Sequence, residues 1–158
     1  MSVEIERKFR VAHDGWRNQA EGTLYRQGFL STHKDRVVRI RVVGNQGTLT
    51  IKGRSQGAVR PEFEYTIPVE EANNMLENLC EHPLIEKWRY KIHIGEHMWE
   101  VDEFLGDNAG LILAEVELDA PDTPVEIPDW VGREVTEDGR YANASLVSNP
   151  YSSWQQEA

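Results

Sequence analysis

Apolar and charged residues alternate along most of this chain. In residues 3–11 the odd-numbered positions are mostly apolar, whereas the even-numbered positions are all charged. A period of two is typical of a β-strand, because successive side chains point to opposite faces of a sheet. Similar segments bounded by turn residues predict further strands at residues 24–31, 36–43, 48–52, 60–67, 87–94, 97–104 and 111–118.

Short segments rich in glycine and asparagine join several of these strands, at residues 43–47, 94–96 and 106–110. Such segments are typical of hairpins, which make neighbouring strands antiparallel. About eight antiparallel strands suit a closed or nearly closed barrel. Helical spacing is weaker and occurs at residues 14–20, 69–80 and 138–147, which we expect to pack against the barrel's apolar exterior. The pattern predicts one mainly β (α+β) domain over residues 1–158, with a few flanking helices and a C-terminal helix.

Charged side chains recur in pairs at positions i and i+2, which share one face of a strand. The pairs are Glu4, Glu6 and Lys8; Arg39 and Arg41; Glu62 and Glu64; Lys87, Arg89 and Lys91; Glu100 and Asp102; and Glu115 and Glu117, with Lys52 beside Thr50. One solvated sheet face would explain any single pair. Such a face would also carry serine, asparagine and glutamine, however, and these positions are almost all ionisable. We therefore expect the charges to line the inside of the barrel.

A charged lining requires a ligand, because each isolated buried ion costs several kcal/mol. The acids offer oxygen ligands for hard divalent cations such as Mg²⁺ or Mn²⁺. The bases suit phosphate oxygens, which arginine can bind with two hydrogen bonds. Together they predict a site for a metal ion and a polyphosphate.

Composition narrows the function classes further. The formal net charge of −10 argues against nonspecific binding to nucleic acid or to membrane surfaces, both of which rely on basic patches. Apolar runs are too short for a membrane span, and the N-terminus lacks the apolar stretch of a secretory signal. The single cysteine, Cys80, excludes an internal disulfide. These features predict a cytoplasmic protein.

The motif Glu4-Ile5-Glu6-Arg7-Lys8 resembles the E-x-E-x-K signature of CYTH domains, the triphosphate tunnel metalloenzymes. Later motifs resemble that family in the same order: they are Arg39-Ile40-Arg41, Thr50-Ile51-Lys52, Glu62-Phe63-Glu64, Lys87-Trp88-Arg89-Tyr90, Val101-Asp102-Glu103-Phe104, Glu115-Val116-Glu117, and Arg140-Tyr141 with Asn143. The resemblance implies an eight-stranded antiparallel tunnel. It also implies metal-assisted attack on a triphosphate. We expect the protein to be a monomer or a homodimer. Phe29 stands where relatives often carry a tyrosine that partners the first-strand lysine.

The leading hypothesis is hydrolysis of inorganic triphosphate to pyrophosphate and phosphate. In it, metal ligands come from Glu4, Glu6, Glu115, Glu117 and Asp102, phosphate contacts from Lys8, Arg39, Arg41, Lys52, Lys87 and Arg89, and catalytic groups from Glu62, Glu64, Lys8 and Lys87. The alternatives are an adenylate cyclase, a nucleoside or thiamine triphosphatase, and a non-catalytic module that binds polyphosphate or nucleotide. A nucleotide would need a place for its base and ribose, and the aromatic side chains of Trp16, Phe29, Trp99 and Trp154 could stack on the base.

Overall fold

Antiparallel strands make up most of the molecule. A computed structural model describes residues 2–154. In that range the strands are β1 (Val3–Val11), β2 (Gly22–Ser31), β3 (Arg36–Val43), β4 (Gln46–Gly53), β5 (Val59–Ile67), β6 (Ile85–Ile94), β7 (His97–Phe104), β8 (Ile112–Glu117) and β9 (Val131–Glu134). The α-helices are α1 (Val69–Asn78) and the short α2 (Ser145–Ser148), and single 3₁₀ turns occur at Gly106–Asn108, Gly139–Tyr141 and Tyr151–Ser153.

Eight strands close into a barrel, as the alternation predicts. The order around it is β5-β4-β3-β2-β6-β7-β8-β1, and β1 returns to β5. Closure depends on three residue pairs, from Val3 opposite Pro61 to Ile5 opposite Val59. Beyond Ile5, the chain of β5 leaves this edge of β1 and β9 takes its place, with Phe9 opposite Glu134. β9 is thus an extra strand outside the closed ring.

The apolar positions of the alternating strands form an outer core. Phe9, Trp99, Val101, Ala114 and Val116 are buried on this face, beneath Trp16 and Trp130 from the connecting segments. On another side, α1 buries Ala72 and Leu76 against Ile40 and Val42 of β3. The face opposite to these apolar residues therefore points into the barrel.

One end of the barrel is filled by the C-terminal segment, residues 135–154. Phe29, Val37, Ile85, Phe104 and Leu113 continue the inward-facing register of the charged residues, but they are apolar. They pack with Val135, Tyr141, Ala144, Leu146 and Val147 of the C-terminal segment. The inner face is consequently charged along the middle of the barrel and apolar at this end.

Two helix predictions are corrected by the structure. Residues 14–20 form turns instead of a helix, because the fully buried Trp16 fixes this segment against Tyr90 with an interplanar angle of 60°. Residues 138–147 contain only a 3₁₀ turn and the start of α2, and they pack against the inner end of the barrel rather than its exterior. The predicted helix at 69–80 is confirmed over Val69–Asn78. β9 was not predicted. Across residues 2–154, no helix is long and apolar enough to span a bilayer.

Candidate active site

A cavity of about 790 Å³ lies inside the barrel. Every residue that the sequence assigned to a site lines this cavity, with the exception of Asp102. The two signs of charge lie on opposite sides because the neighbouring strands β8, β1 and β5 carry most acids, whereas β3 and β6 carry most bases. We call Glu4, Glu6, Glu62, Glu115 and Glu117 the acidic wall, and Arg39, Arg41, Lys87 and Arg89 the basic wall.

Three carboxylates of the acidic wall converge. Glu4, Glu62 and Glu117 each have an oxygen within 4.8 Å of an oxygen of the other two. They come from three adjacent strands, β1, β5 and β8, whose antiparallel pairing brings the inward-facing positions together. Hard oxygen ligands at this spacing fit a divalent cation such as Mg²⁺ or Mn²⁺. These residues are therefore suited to hold the metal ion that the sequence predicts.

Two lysines offset part of the negative charge of the acidic wall. The Lys52 Nζ lies 3.1 Å from a carboxylate oxygen of Glu4 and 3.5 Å from one of Glu62. The Lys8 Nζ lies 3.7 Å from a carboxylate oxygen of Glu115 and donates a hydrogen bond of 3.2 Å to the main-chain carbonyl of Tyr141. That carbonyl gives Lys8 an acceptor where Phe29 lacks a hydroxyl.

Crowding on the acidic wall shifts its proton affinities. Burial, followed by the charges of Glu115 and Glu4, raises the pKa of Glu6 well above its usual value. Burial opposes ionisation of Glu115 as well, but Lys8, Arg89 and Lys87 outweigh it and hold the pKa of Glu115 well below its usual value. Burial and the nearby Glu4 likewise raise the pKa of Glu117. A divalent cation would relieve this repulsion among the acids.

The basic wall has more positive charge than its own counter-ions satisfy. Arg39 is buried, and its Nε has no hydrogen-bond partner. Within the described part of the chain, Arg41 forms no ion pair with a carboxylate, and its Nε donates to the neutral side chain of Gln27 at 3.0 Å. Burial, then the charges of Arg39 and Arg89, lowers the pKa of Arg41 to about 9. An anion in the cavity would supply the missing acceptors.

Asp102 lies behind the basic wall instead of on the cavity surface. Its carboxylate accepts two hydrogen bonds from Arg89, at 2.7 and 2.8 Å, and lies 2.7 Å from the Lys87 Nζ. Arg89 and Lys87 thus hold the pKa of Asp102 below its usual value despite complete burial. Burial lowers the pKa of Lys87 to about 7 against the attraction of Asp102. Both carboxylate oxygens of Asp102 are engaged with cations, so they are poorly placed to take a metal ion.

Several further residues line or support the cavity without having been predicted. Arg60 lines it and donates to the Gly53 carbonyl at 3.1 and 2.9 Å. Tyr25 lies beneath the guanidinium groups of both Arg41 and Arg89, each 4.9 Å from its ring centroid. Strand parity could have identified both, since they share a face with predicted residues. Asn143 of the C-terminal segment also reaches the lining; it belongs to the last family-like motif, but the helix predicted around it gave no reason to place it inside the barrel.

Known proteins resemble this chain over nearly its whole length. An inorganic triphosphatase of Acetivibrio thermocellus is 53% identical over 156 residues, which cover 99% of this chain and all of that protein. An inorganic triphosphatase of Nitrosomonas europaea is 39% identical over 152 residues, covering 92% and 97% of the two chains. A crystal structure of an inorganic triphosphatase superposes with a TM-score of 0.63 at 35% identity, covering 90% of this chain and 96% of that one. Residues 2–151 match the CYTH domain family, and the chain therefore belongs to it.

Proposed function

We propose that this protein hydrolyses inorganic triphosphate to pyrophosphate and phosphate, with the help of a divalent metal ion. The observation that carries the proposal is the pairing of two complementary walls in one cavity. Arg39, whose buried Nε has no hydrogen-bond partner among the described residues, and Arg41, which forms no ion pair there, face a cluster of three converging carboxylates. A linear triphosphate carries the negative charge that the basic wall requires, and its metal complex suits the acidic wall. The similarity to two inorganic triphosphatases supports the same substrate.

Mg²⁺ or Mn²⁺ would be held by Glu4, Glu62 and Glu117, with Glu6 and Glu115 beside them. Such an ion neutralises phosphate charge and lowers the pKa of a bound water. The clustered acids support this assignment, because five carboxylates in one half of a cavity repel one another without a cation. Family membership supports metal dependence in general. The choice between the two ions, the monomeric or homodimeric state and the cytoplasmic location stay predictions.

The cationic side chains would bind and orient the triphosphate. Arg39 and Arg41 offer donors that the protein itself leaves unmet, so we assign them to phosphate oxygens. Lys87 and Arg89 would bind the next phosphate group of the substrate. Lys8 and Lys52 would lie between that phosphate group and the carboxylates of the acidic wall. Groups fixed in advance around the charge that develops on a transferred phosphoryl group stabilise its transition state. Lys8 and Lys87 would therefore contribute to the rate as well as to binding.

Glu64 is the acid that we assign to the attacking water. Its carboxylate accepts from the Thr50 hydroxyl at 3.2 Å, lies 3.8 Å from Arg39 and remains half exposed, apart from the metal cluster. The water oxygen forms a bond to the terminal phosphorus, the phosphoanhydride bond breaks, and its electrons leave with pyrophosphate. A proton of the water passes to the Glu64 carboxylate. Glu62, which shares the inward face of β5 with Glu64 and the Lys52 ammonium with Glu4, would help to place the water.

The aromatic side chains favour a substrate without a base. Trp16 and Trp99 are completely buried in the outer core, so neither can stack on a nucleobase inside the barrel. Trp154 packs edge-on against Tyr141 and Tyr151 in the C-terminal segment. Phe29 is 98% buried among the apolar residues of that end. A nucleotide or thiamine substrate would thus gain little from the candidate rings.

A phosphate-release assay tests the proposal. We expect release from tripolyphosphate with Mg²⁺ or Mn²⁺ to exceed release from ATP and thiamine triphosphate, with no cyclic AMP formed from ATP. Glu4→Gln should abolish turnover, whereas Glu86→Gln, which changes an exposed acid paired with Arg26, should not alter it. Tight binding of tripolyphosphate without release under any divalent metal would refute hydrolysis and favour a binding module. Full activity of Glu4→Gln would refute the metal assignment.

A further inference from the structure

A chain of hydrogen bonds connects the C-terminal segment to two residues of the basic wall. The Asn143 Oδ1 accepts from the Gln27 Nε2 at 2.7 Å and from the Lys87 Nζ at 2.8 Å. The Gln27 Oε1 in turn accepts from the Arg41 Nε at 3.0 Å. Gln27 is completely buried and Lys87 is 1% exposed, so water does not substitute for these contacts. Two carboxamides, those of Gln27 and Asn143, thus join Arg41 of β3 to Lys87 of β6.

The chemistry of the donors fixes the direction of this chain. Arginine and lysine only donate at these atoms, so Gln27 must turn its oxygen to Arg41, and Asn143 must turn its oxygen to Lys87. Gln27 then has only its NH₂ group left for Asn143, which accepts it with the same oxygen. The Nδ2 of Asn143 has no partner within residues 2–154, while the side chain itself lines the cavity. A phosphate oxygen is the kind of acceptor that this remaining donor can take.

We propose that Asn143 is a positioning residue for the triphosphate: it aims Lys87 directly and Arg41 through Gln27, and it offers Nδ2 to a phosphate oxygen. The inference rests on the proposed function and deepens it. The C-terminal segment brings Asn143 to this place because Tyr141, Ala144 and Leu146, on either side of it, are anchored in the apolar end of the barrel. Packing at that end is thereby coupled to the geometry of the phosphate site.

Two substitutions separate positioning from direct contact. Asn143→Asp keeps an oxygen that accepts from Gln27 and Lys87, but it loses the Nδ2 donor and places a negative charge beside the phosphate. Asn143→Ala removes the acceptor, so Lys87 loses one of its two polar partners within residues 2–154 and keeps Asp102, while Gln27 loses its contact with the C-terminal segment. Asn149→Ala is the matched control, since Asn149 is exposed on the same segment and its side-chain Oδ1 accepts from the Ser153 hydroxyl.

Steady-state hydrolysis of tripolyphosphate by the full chain, with thermal unfolding of every variant, is the experiment. We expect Asn143→Ala to lower kcat about 10-fold or more, as loss of a group that orients catalytic side chains does. Asn143→Asp should keep kcat closer to the wild type and raise KM about 10-fold, because repulsion weakens ground-state and transition-state binding alike. Asn149→Ala should leave both parameters unchanged.

A double-mutant cycle completes the test. If Gln27 and Asn143 act in one chain, then Gln27→Ala together with Asn143→Ala should cost little more than Asn143→Ala alone. Two results would overturn the inference while leaving the proposed function intact. In one, the fold-losses in kcat of Gln27→Ala and Asn143→Ala multiply in the double variant; in the other, Asn143→Ala is as active as Asn149→Ala. Absence of phosphate release by the wild type would instead overturn the proposed function itself.

Discussion

Asp102→Asn isolates the ion pairs behind the basic wall. The substitution preserves shape but removes the counter-charge of Arg89 and Lys87, which make three contacts of 2.7 to 2.8 Å with the fully buried carboxylate. Removing one partner of a buried ion pair costs about 3–5 kcal/mol, because the remaining charge stays buried and unpaired. Lys87 can shed part of this penalty by losing its proton, since its pKa is already about 7. We therefore expect the lower end of that range.

A loss of about 3 kcal/mol corresponds to a decrease in Tm of about 6–12 °C for a chain of this size. Circular dichroism of the ligand-free protein at pH 7 measures it. The control is Glu100→Gln, which also removes a carboxylate that pairs with Arg89. The Glu100 carboxylate lies 3.3 Å from the Arg89 guanidinium, and 26% of its side chain is exposed. A partly exposed pair of this kind contributes at most about 1 kcal/mol. Equal Tm values for Asp102→Asn and Glu100→Gln would refute the reasoning.

The same variant also distinguishes a supporting residue from a metal ligand. If Asp102 only supports Arg89 and Lys87, its substitution should lower kcat and leave unchanged the Mg²⁺ concentration that gives half-maximal activity. As a ligand, which the sequence alone suggested, it should raise that concentration about 10-fold or more, the scale of losses in metal sites. If the half-activating Mg²⁺ concentration rises in the Asp102→Asn variant, Asp102 is a metal ligand, and the supporting role inferred from its contacts is wrong.

Two further substitutions address the opposite walls. Glu117→Gln should raise the half-activating Mg²⁺ concentration about 10-fold or more with little change in Tm, because it removes one of three converging carboxylates; an unchanged metal titration would exclude Glu117 from the site. Arg41→Lys should lower kcat/KM for tripolyphosphate about 10-fold, since an ammonium cannot bind Gln27 and a phosphate in the same planar arrangement. Wild-type kinetics for this variant would remove Arg41 from the phosphate contacts.

Strand parity carried most of the correct sequence prediction. In a barrel every second residue faces inward, so Glu4, Glu6 and Lys8 had to share a face whatever strands lay beside them. Parity also places Gln27 inward, but the role of a neutral amide can be recognised only when its hydrogen-bond partners are known. Asn143 is in an irregular segment, where no period relates sequence to direction. The roles of such residues depend on contacts between distant parts of the chain.

Where prediction failed, tertiary contacts determined local structure. β9 has only four residues and follows no alternation, and it exists because the edge of β1 is free beyond Ile5. The segment at 14–20 has a helix-like spacing of apolar residues, yet Trp16 is needed to cover Tyr90 and the outer core. Burial of one large ring there outweighs the weak local preference for helix.

The narrow closure of the barrel at β1 has a consequence for how the protein folds. β1 must pair with β5, with β8 through residues such as Glu6 and Glu117, and with β9 at Phe9 and Glu134. The pairings with β8 and β9 join the most distant residues among the paired strands, and contacts between distant residues slow folding because the intervening chain loses entropy before they form. During synthesis, the first strand therefore waits for nearly all of the others. We therefore expect the two glutamates that it carries to meet Glu117 late in folding.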